Sequence, residues 1–170
     1  INFRPAEEFQ IKVGRFLVPY SYDWYDHLEQ FFITPERALF PLNFGLSREA
    51  GVLVWGELDE GSLQYALGAF SGQLSGVADN NTTRDAVAYV NARPFRGGSF
   101  PLLENLNLGG SLGLGDQAFA EEPLPLRTSI QASENDEAAQ AASAVILEYE
   151  EDVFLLGARR QAALHAAWYV

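Results

Sequence analysis

The stretch Leu106-Asn107-Leu108-Gly109-Gly110-Ser111-Leu112-Gly113-Leu114 decides how this chain reads. On an extended backbone successive side chains point to opposite faces. Leu106, Leu108, Leu112 and Leu114 therefore share one side, and Asn107, Gly109, Ser111 and Gly113 share the other. One face is greasy; the other is small and polar. A sandwich core favours bulky, branched residues on its buried side, whereas a wall between lipid and water accepts leucine outside and Asn, Gly and Ser inside. The segment is expected to be a strand with a different solvent on each side.

The same alternation recurs outward from this stretch. Gly51 to Leu58 and Ser62 to Phe70 form a hairpin through Asp59-Glu60-Gly61, where Gly can take a positive backbone angle. Val52, Val54 and Leu58 oppose Leu53, Trp55 and Glu57; Tyr65, Leu67 and Ala69 oppose Gln64, Ala66, Gly68 and Phe70. Phe9 to Phe16, Asp85 to Phe95 and the run from Arg159 onward alternate likewise, and Pro94 weakens the end of its strand. Connections alternate between short (58–61, 96–104) and long (17–50, 71–84, 116–158), the pattern of strands shuttling between two compartments. The expected fold is all-β, an antiparallel meander forming about six strands of a larger transmembrane β-barrel. A short helix is expected in the aromatic-rich long loop 20–44. Residues 1–170 read as one partial barrel domain with an acidic extracellular loop at 116–158.

Composition sets the outer bounds. The 170 residues are 48% hydrophobic and 20% charged, which excludes general disorder. No apolar run approaches the roughly 20 residues of a spanning helix, so a membrane reading must use strands. Cysteine is absent, removing disulfides, thiolate nucleophiles and thiolate metal sites together. The net charge of −12 argues against nucleic acid and against a polybasic membrane anchor. Between Asp116 and Asp152 ten acids stand against Arg127 alone, so most of the acidity belongs to one segment. Methionine is absent, the chain opens at Ile1 without a signal segment, and it stops at Val170 inside an alternating run. A processed or excised piece with strands missing is the expectation.

Reactive chemistry has weak candidates. His27 lies between Asp26 and Glu29, but sequence neighbours on one turn seldom converge on a metal or a proton, and a packed or solvated histidine is the simpler reading. His165 has no accompanying nucleophile pattern. Glu148, Glu150, Glu151 and Asp152 lack the spacing of a dedicated calcium loop, and Gly109-Gly110 with Gly113-x-Gly115 lack the following helix of a phosphate cradle. No enzyme, metal or cofactor is therefore expected. The arginines are the better lead: ten of them accompany one lysine, Lys12. Guanidinium stays charged and forks onto oxyanions, so a few inside a narrow pore concentrate anions. Lys12, Arg37, Arg48, Arg93 and Arg159, with Tyr89 and Asn91 beside them, are the candidate pore-lining residues.

Five segments in order carry a family resemblance: Val13-Gly14-Arg15-Phe16-Leu17-Val18-Pro19-Tyr20, Pro35-Glu36-Arg37-Ala38-Leu39, Arg48-Glu49-Ala50-Gly51-Val52, Leu63-Gln64-Tyr65-Ala66-Leu67-Gly68-Ala69-Phe70-Ser71-Gly72 and Ala92-Arg93-Pro94-Phe95. In these the chain resembles the phosphate-selective porin O and P family, from about residue 9 to 115 and again near 159–169. The resemblance implies a sixteen-stranded outer-membrane barrel, usually trimeric, that passes anions such as phosphate through an arginine-lined constriction. Where that family often carries arginine or lysine on the lumen side of the 85–95 strand, this chain has Tyr89. The leading expectation is thus a segment of an outer-membrane porin for passive diffusion of small hydrophilic solutes, in contact with lipid and with no nucleic-acid partner. The competing expectation is a soluble β-sandwich module for carbohydrate or another ligand, with Trp24, Tyr25 and Trp55 stacking on sugar faces.

Overall fold

The structure is a computed structural model describing residues 1–26, 48–72, 84–98, 100–121, 123, 125–128 and 144–169, with side chains over 117–121 outside the description. Nine strands are present among these residues: β1 (Asn2–Phe3), β2 (Gln10–Leu17), β3 (Arg48–Leu58), β4 (Leu63–Phe70), β5 (Asp85–Ala92), β6 (Leu106–Glu121), β7 (Leu126–Arg127), β8 (Val145–Leu147) and β9 (Leu155–Trp168). Seven of them form one antiparallel sheet in the order β1-β2-β3-β4-β5-β6-β9, and β7 pairs with β8 as a separate ribbon. All six strands expected from the alternation are present. The seventh, β1, is a two-residue edge strand opposite Ile11 and Lys12 that carries no periodic signal of its own.

Boundaries follow from local chemistry. The β3–β4 turn puts Asp59, Glu60 and Gly61 all at positive φ, closed by Gly61 N–H donating to Leu58 O at 3.1 Å and Ser62 N–H to Asp59 O at 2.9 Å. β5 stops at Ala92, short of the expected Phe95, because Pro94 has no N–H for the ladder and the chain turns at Gly97, φ 66°. β6 and β9 run further than expected. Their pairing continues through Asp116↔Ala158 and Gln117↔Gly157 to Glu121↔Leu155, while β5 leaves β6 at Leu114. The ladder therefore enters both ends of the segment expected as a loop, as a two-stranded ribbon projecting past the sheet.

The register sorts side chains into two unlike faces. Leu53, Gly68, Val87, Gly113 and Gln161 stand in one cross-strand row; Trp55, Ala66, Tyr89, Ser111 and Ala163 in the next; Glu57, Gln64, Asn91, Gly109 and His165 in a third. This face is covered. After β2 the chain folds back over it, burying Val18 and Tyr20 against Phe16, Leu53, Ala66, Phe70, Val87 and Tyr89. Full burial of each large apolar side chain is worth about 1.5–3 kcal/mol, so this cluster holds the returning segment to the sheet. The helix expected in 20–44 is one turn, α1 (Tyr22–Tyr25), and residues 27–47 lie outside the description.

The opposite face is bare. Val52, Leu67, Val90, Leu108, Leu112, Leu114 and Leu164 are all exposed, Leu112 at 57% and Leu164 at 93%. Val54, Tyr65, Ala88 and Leu106, which the register puts on the same side, are half-buried there. No second sheet lies over them among the described residues.

Candidate functional site

The functional groups gather on the covered face, where the chain after β2 meets the middle strands. Ser21 sets the approach: its backbone is held at φ 65°, an uncommon conformation for a side-chain-bearing residue, and its N–H donates to Ser111 Oγ at 3.1 Å. One turn later α1 lies on the sheet. Tyr25 packs edge-on against Tyr89 at 5.1 Å between ring centroids, and Tyr22 stacks on His165 at 4.8 Å. Tyr22 and Tyr169 hydroxyls are 3.1 Å apart.

Asp26 ends this turn inside a polar network. Tyr89 Oη donates to Asp26 Oδ2 at 3.1 Å. Asn91 Nδ2 reaches Asn107 Oδ1 at 3.0 Å, Gln64 Oε1 at 3.2 Å and Asp26 Oδ2 at 3.4 Å, and Gln64 Nε2 donates to Glu57 Oε1 at 3.3 Å. His165 Nε2 lies 3.1 Å from Asn91 Oδ1, while its buried Nδ1 has no partner among the described residues. Burial raises the Asp26 carboxyl above its usual value of 3.8, against the hydrogen bonds from Tyr89 and Asn91 and the charge of Arg93, which pull it down. Burial first, and the Asp26 charge second, push the Tyr25 phenol up to about 12. In both, burial is the first cause.

The candidate pore residues do not share one place. Tyr89 and Asn91 belong to the Asp26 network, and Lys12 stands nearby with Nζ 5.2 Å from the Trp55 ring and 5.4 Å from Phe16. Arg4 lies over the same indole at 5.5 Å. Arg93 is on this face but anchors the β3–β4 turn: its Nε donates to Gly61 O at 3.0 Å, and Arg96 reaches the same carbonyl. Arg159 stands away from the network, paired with Asp85 in a contact where the two side chains are 18% and 3% exposed. The alternation of β3 puts Arg48 on the bare side with Ala50 and Val52, opposite Leu17, and Arg37 lies outside the described residues. His27 does too, and among the described residues no three His, Asp or Glu side chains are grouped to hold a metal ion.

A cavity of about 250 Å³ opens beside the network, bounded among the described residues by Trp55, Tyr25 and Tyr89 and by Lys12, Asp26 and Glu57. Sequence reasoning singled out Lys12 and Tyr89 as pore residues and Tyr25 and Trp55 under the competing carbohydrate reading, but missed Asp26, Glu57 and Gln64 as site residues. Strand parity already placed Glu57 and Gln64 on the polar side; which strands adjoin, and so which polar groups meet, depends on register. Compared with known proteins, the chain matches no family model, no curated protein and no solved structure.

Proposed function

We propose that this sheet is part of the wall of an outer-membrane β-barrel porin through which small hydrophilic solutes diffuse passively. The observation that carries the reading is the contrast between the two faces. Val52, Leu67, Val90, Leu112 and Leu164 expose apolar surface on one side with nothing over it among the described residues, while Asn91, Asn107, Ser111 and Gln64 lie on the other beside the cluster that the returning chain covers. Water-soluble monomers seldom expose apolar patches beyond a few hundred Å², because each Å² left in water forgoes about 25 cal/mol. Hydrocarbon removes that penalty. The antiparallel order adds support: the connections at 59–62 and 93–105 leave from one end of the sheet and the longer ones from the other, as in barrels with tight periplasmic turns and long external loops. The five-segment sequence resemblance points the same way, and with it a trimer in the outer membrane.

The solute class follows from the charges on the covered face. Arg159 is paired with Asp85, Arg93 holds a turn carbonyl, and Asp26 and Glu57 offset Lys12. A face of mixed sign suits hydrophilic solutes broadly rather than anions alone. The test is insertion of the full-length protein into planar lipid bilayers. Stepwise ion conductance is expected; a protein that stays in solution without detergent and conducts nothing would overturn the proposal.

A further inference from the structure

The cavity beside Trp55 has a composition that selects a ligand. Its aromatic part, Trp55 with Tyr25 and Tyr89, offers flat apolar surface. Its polar part places one ammonium, Lys12, with two carboxylates, Asp26 and Glu57. A dianion in this space is opposed by the Asp26 and Glu57 carboxylates, and a cation by the Lys12 ammonium and the Arg4 guanidinium, which lie over the indole at 5.2 and 5.5 Å. A neutral polyol escapes both conflicts: its hydroxyls donate to the carboxylates and accept from the lysine, while its C–H face covers an aromatic ring. The Trp55 indole N–H is buried and has no hydrogen-bond partner among the described residues, so the ring meets the cavity by its apolar surface. At about 250 Å³ the space is below the roughly 300–1,000 Å³ of sites for drug-sized ligands, which suits a single ring.

We propose that this cavity binds one ring of a neutral polyhydroxylated solute, a monosaccharide being the simplest member of the class. The inference deepens the porin reading by naming a solute that pauses at the wall, and rests on that reading only for its transport role. Weak affinity is the appropriate design, since a solute that must leave again cannot be held tightly.

Saturation-transfer NMR on the detergent-solubilised full-length protein, with glucose, inorganic phosphate and choline as separate probes, tests the site independently of conduction. Glucose is expected to show saturable transfer in the millimolar range, with phosphate and choline showing none. Trp55→Ala should weaken glucose about tenfold, the size of one aromatic contact. Glu57→Gln, which keeps the shape and loses an anionic acceptor, provides a second variant should the alanine protein fail to fold, and it too should weaken glucose. Saturable phosphate or choline binding without glucose binding would overturn the inference, as would glucose binding unchanged in Glu57→Gln. Glucose binding in a protein that forms no conducting pore would sustain the site and reject the porin reading; conduction without glucose binding would do the reverse.

Discussion

Asp26 shows how one side chain ties a returning segment to a sheet. Its carboxylate accepts from Tyr89 and faces Asn91, and burial raises its pKa above 3.8. A carboxyl whose folded pKa lies above its unfolded value binds its proton more tightly in the folded state. The stabilisation is therefore fully present below about pH 3.8 and is lost as pH rises through the higher folded pKa. Docking of α1 should tighten as pH falls through that window, and Asp26→Asn should flatten the dependence while keeping an oxygen to accept from Tyr89. Amide hydrogen exchange over 21–26, measured across mildly acidic pH, reads this directly; identical pH profiles for the two proteins would refute it. Arg159 and Asp85 illustrate the opposite use of charge. Their pairing spends a guanidinium on holding β9 near β5, and a paired arginine presents little field to a passing ion.

At the scale of the strand, β6 carries the strongest claim about solvent. Leu112 stands in the bare row with Val54, Leu67, Ala88 and Ala162, at mid-strand rather than at an edge. If that row lies in hydrocarbon, Leu112→Arg should cost about 2–4 kcal/mol, the penalty for arginine near the bilayer midplane on a barrel's lipid face. If it faces water, the change should fall within about 0.5 kcal/mol, as surface substitutions do. Urea titration of the full-length protein folded in lipid vesicles distinguishes the two. The polar side of the same strand is constrained differently: a Cβ at Gly109 would press on the Val90 carbonyl and on the His165 ring, 2.7 Å away. Glycine there lets β5 and β9 both close on β6.

For the molecule as a whole, the net charge of −12 is concentrated between Asp116 and Asp152, and the described covered face mixes Lys12 and Arg93 with Asp26 and Glu57. At physiological salt a surface field fades beyond about 8 Å, so the acidic segment acts on ions only at close range. Reversal potentials across a salt gradient, measured on the full-length protein in planar bilayers, should therefore be small. A strong anion-selective potential would show that cations outside the described residues, Arg37 first among them, set the field. A strong cation-selective one would show that the acidic segment controls the passage.

The sequence alone determined the class of structure and the chemistry of each face. Alternation is a local property: Leu106 to Leu114 place leucine on one side and Asn, Gly and Ser on the other whatever their neighbours, and Asp59-Glu60-Gly61 specify their turn by backbone preference. Strand existence, order and facing were therefore legible. Contacts between strands were not, because a pairing depends on register and on which strands adjoin. Only the tertiary structure brought Asp85 to Arg159 across 74 residues, or placed Glu57, Gln64, Asn91 and His165 in one row. It also decided that the chain after β2 returns over the face that carries Leu53, Val87 and Tyr89 and seats Asp26 on Tyr89, since the aromatic content of 20–26 calls for burial without naming the surface that supplies it.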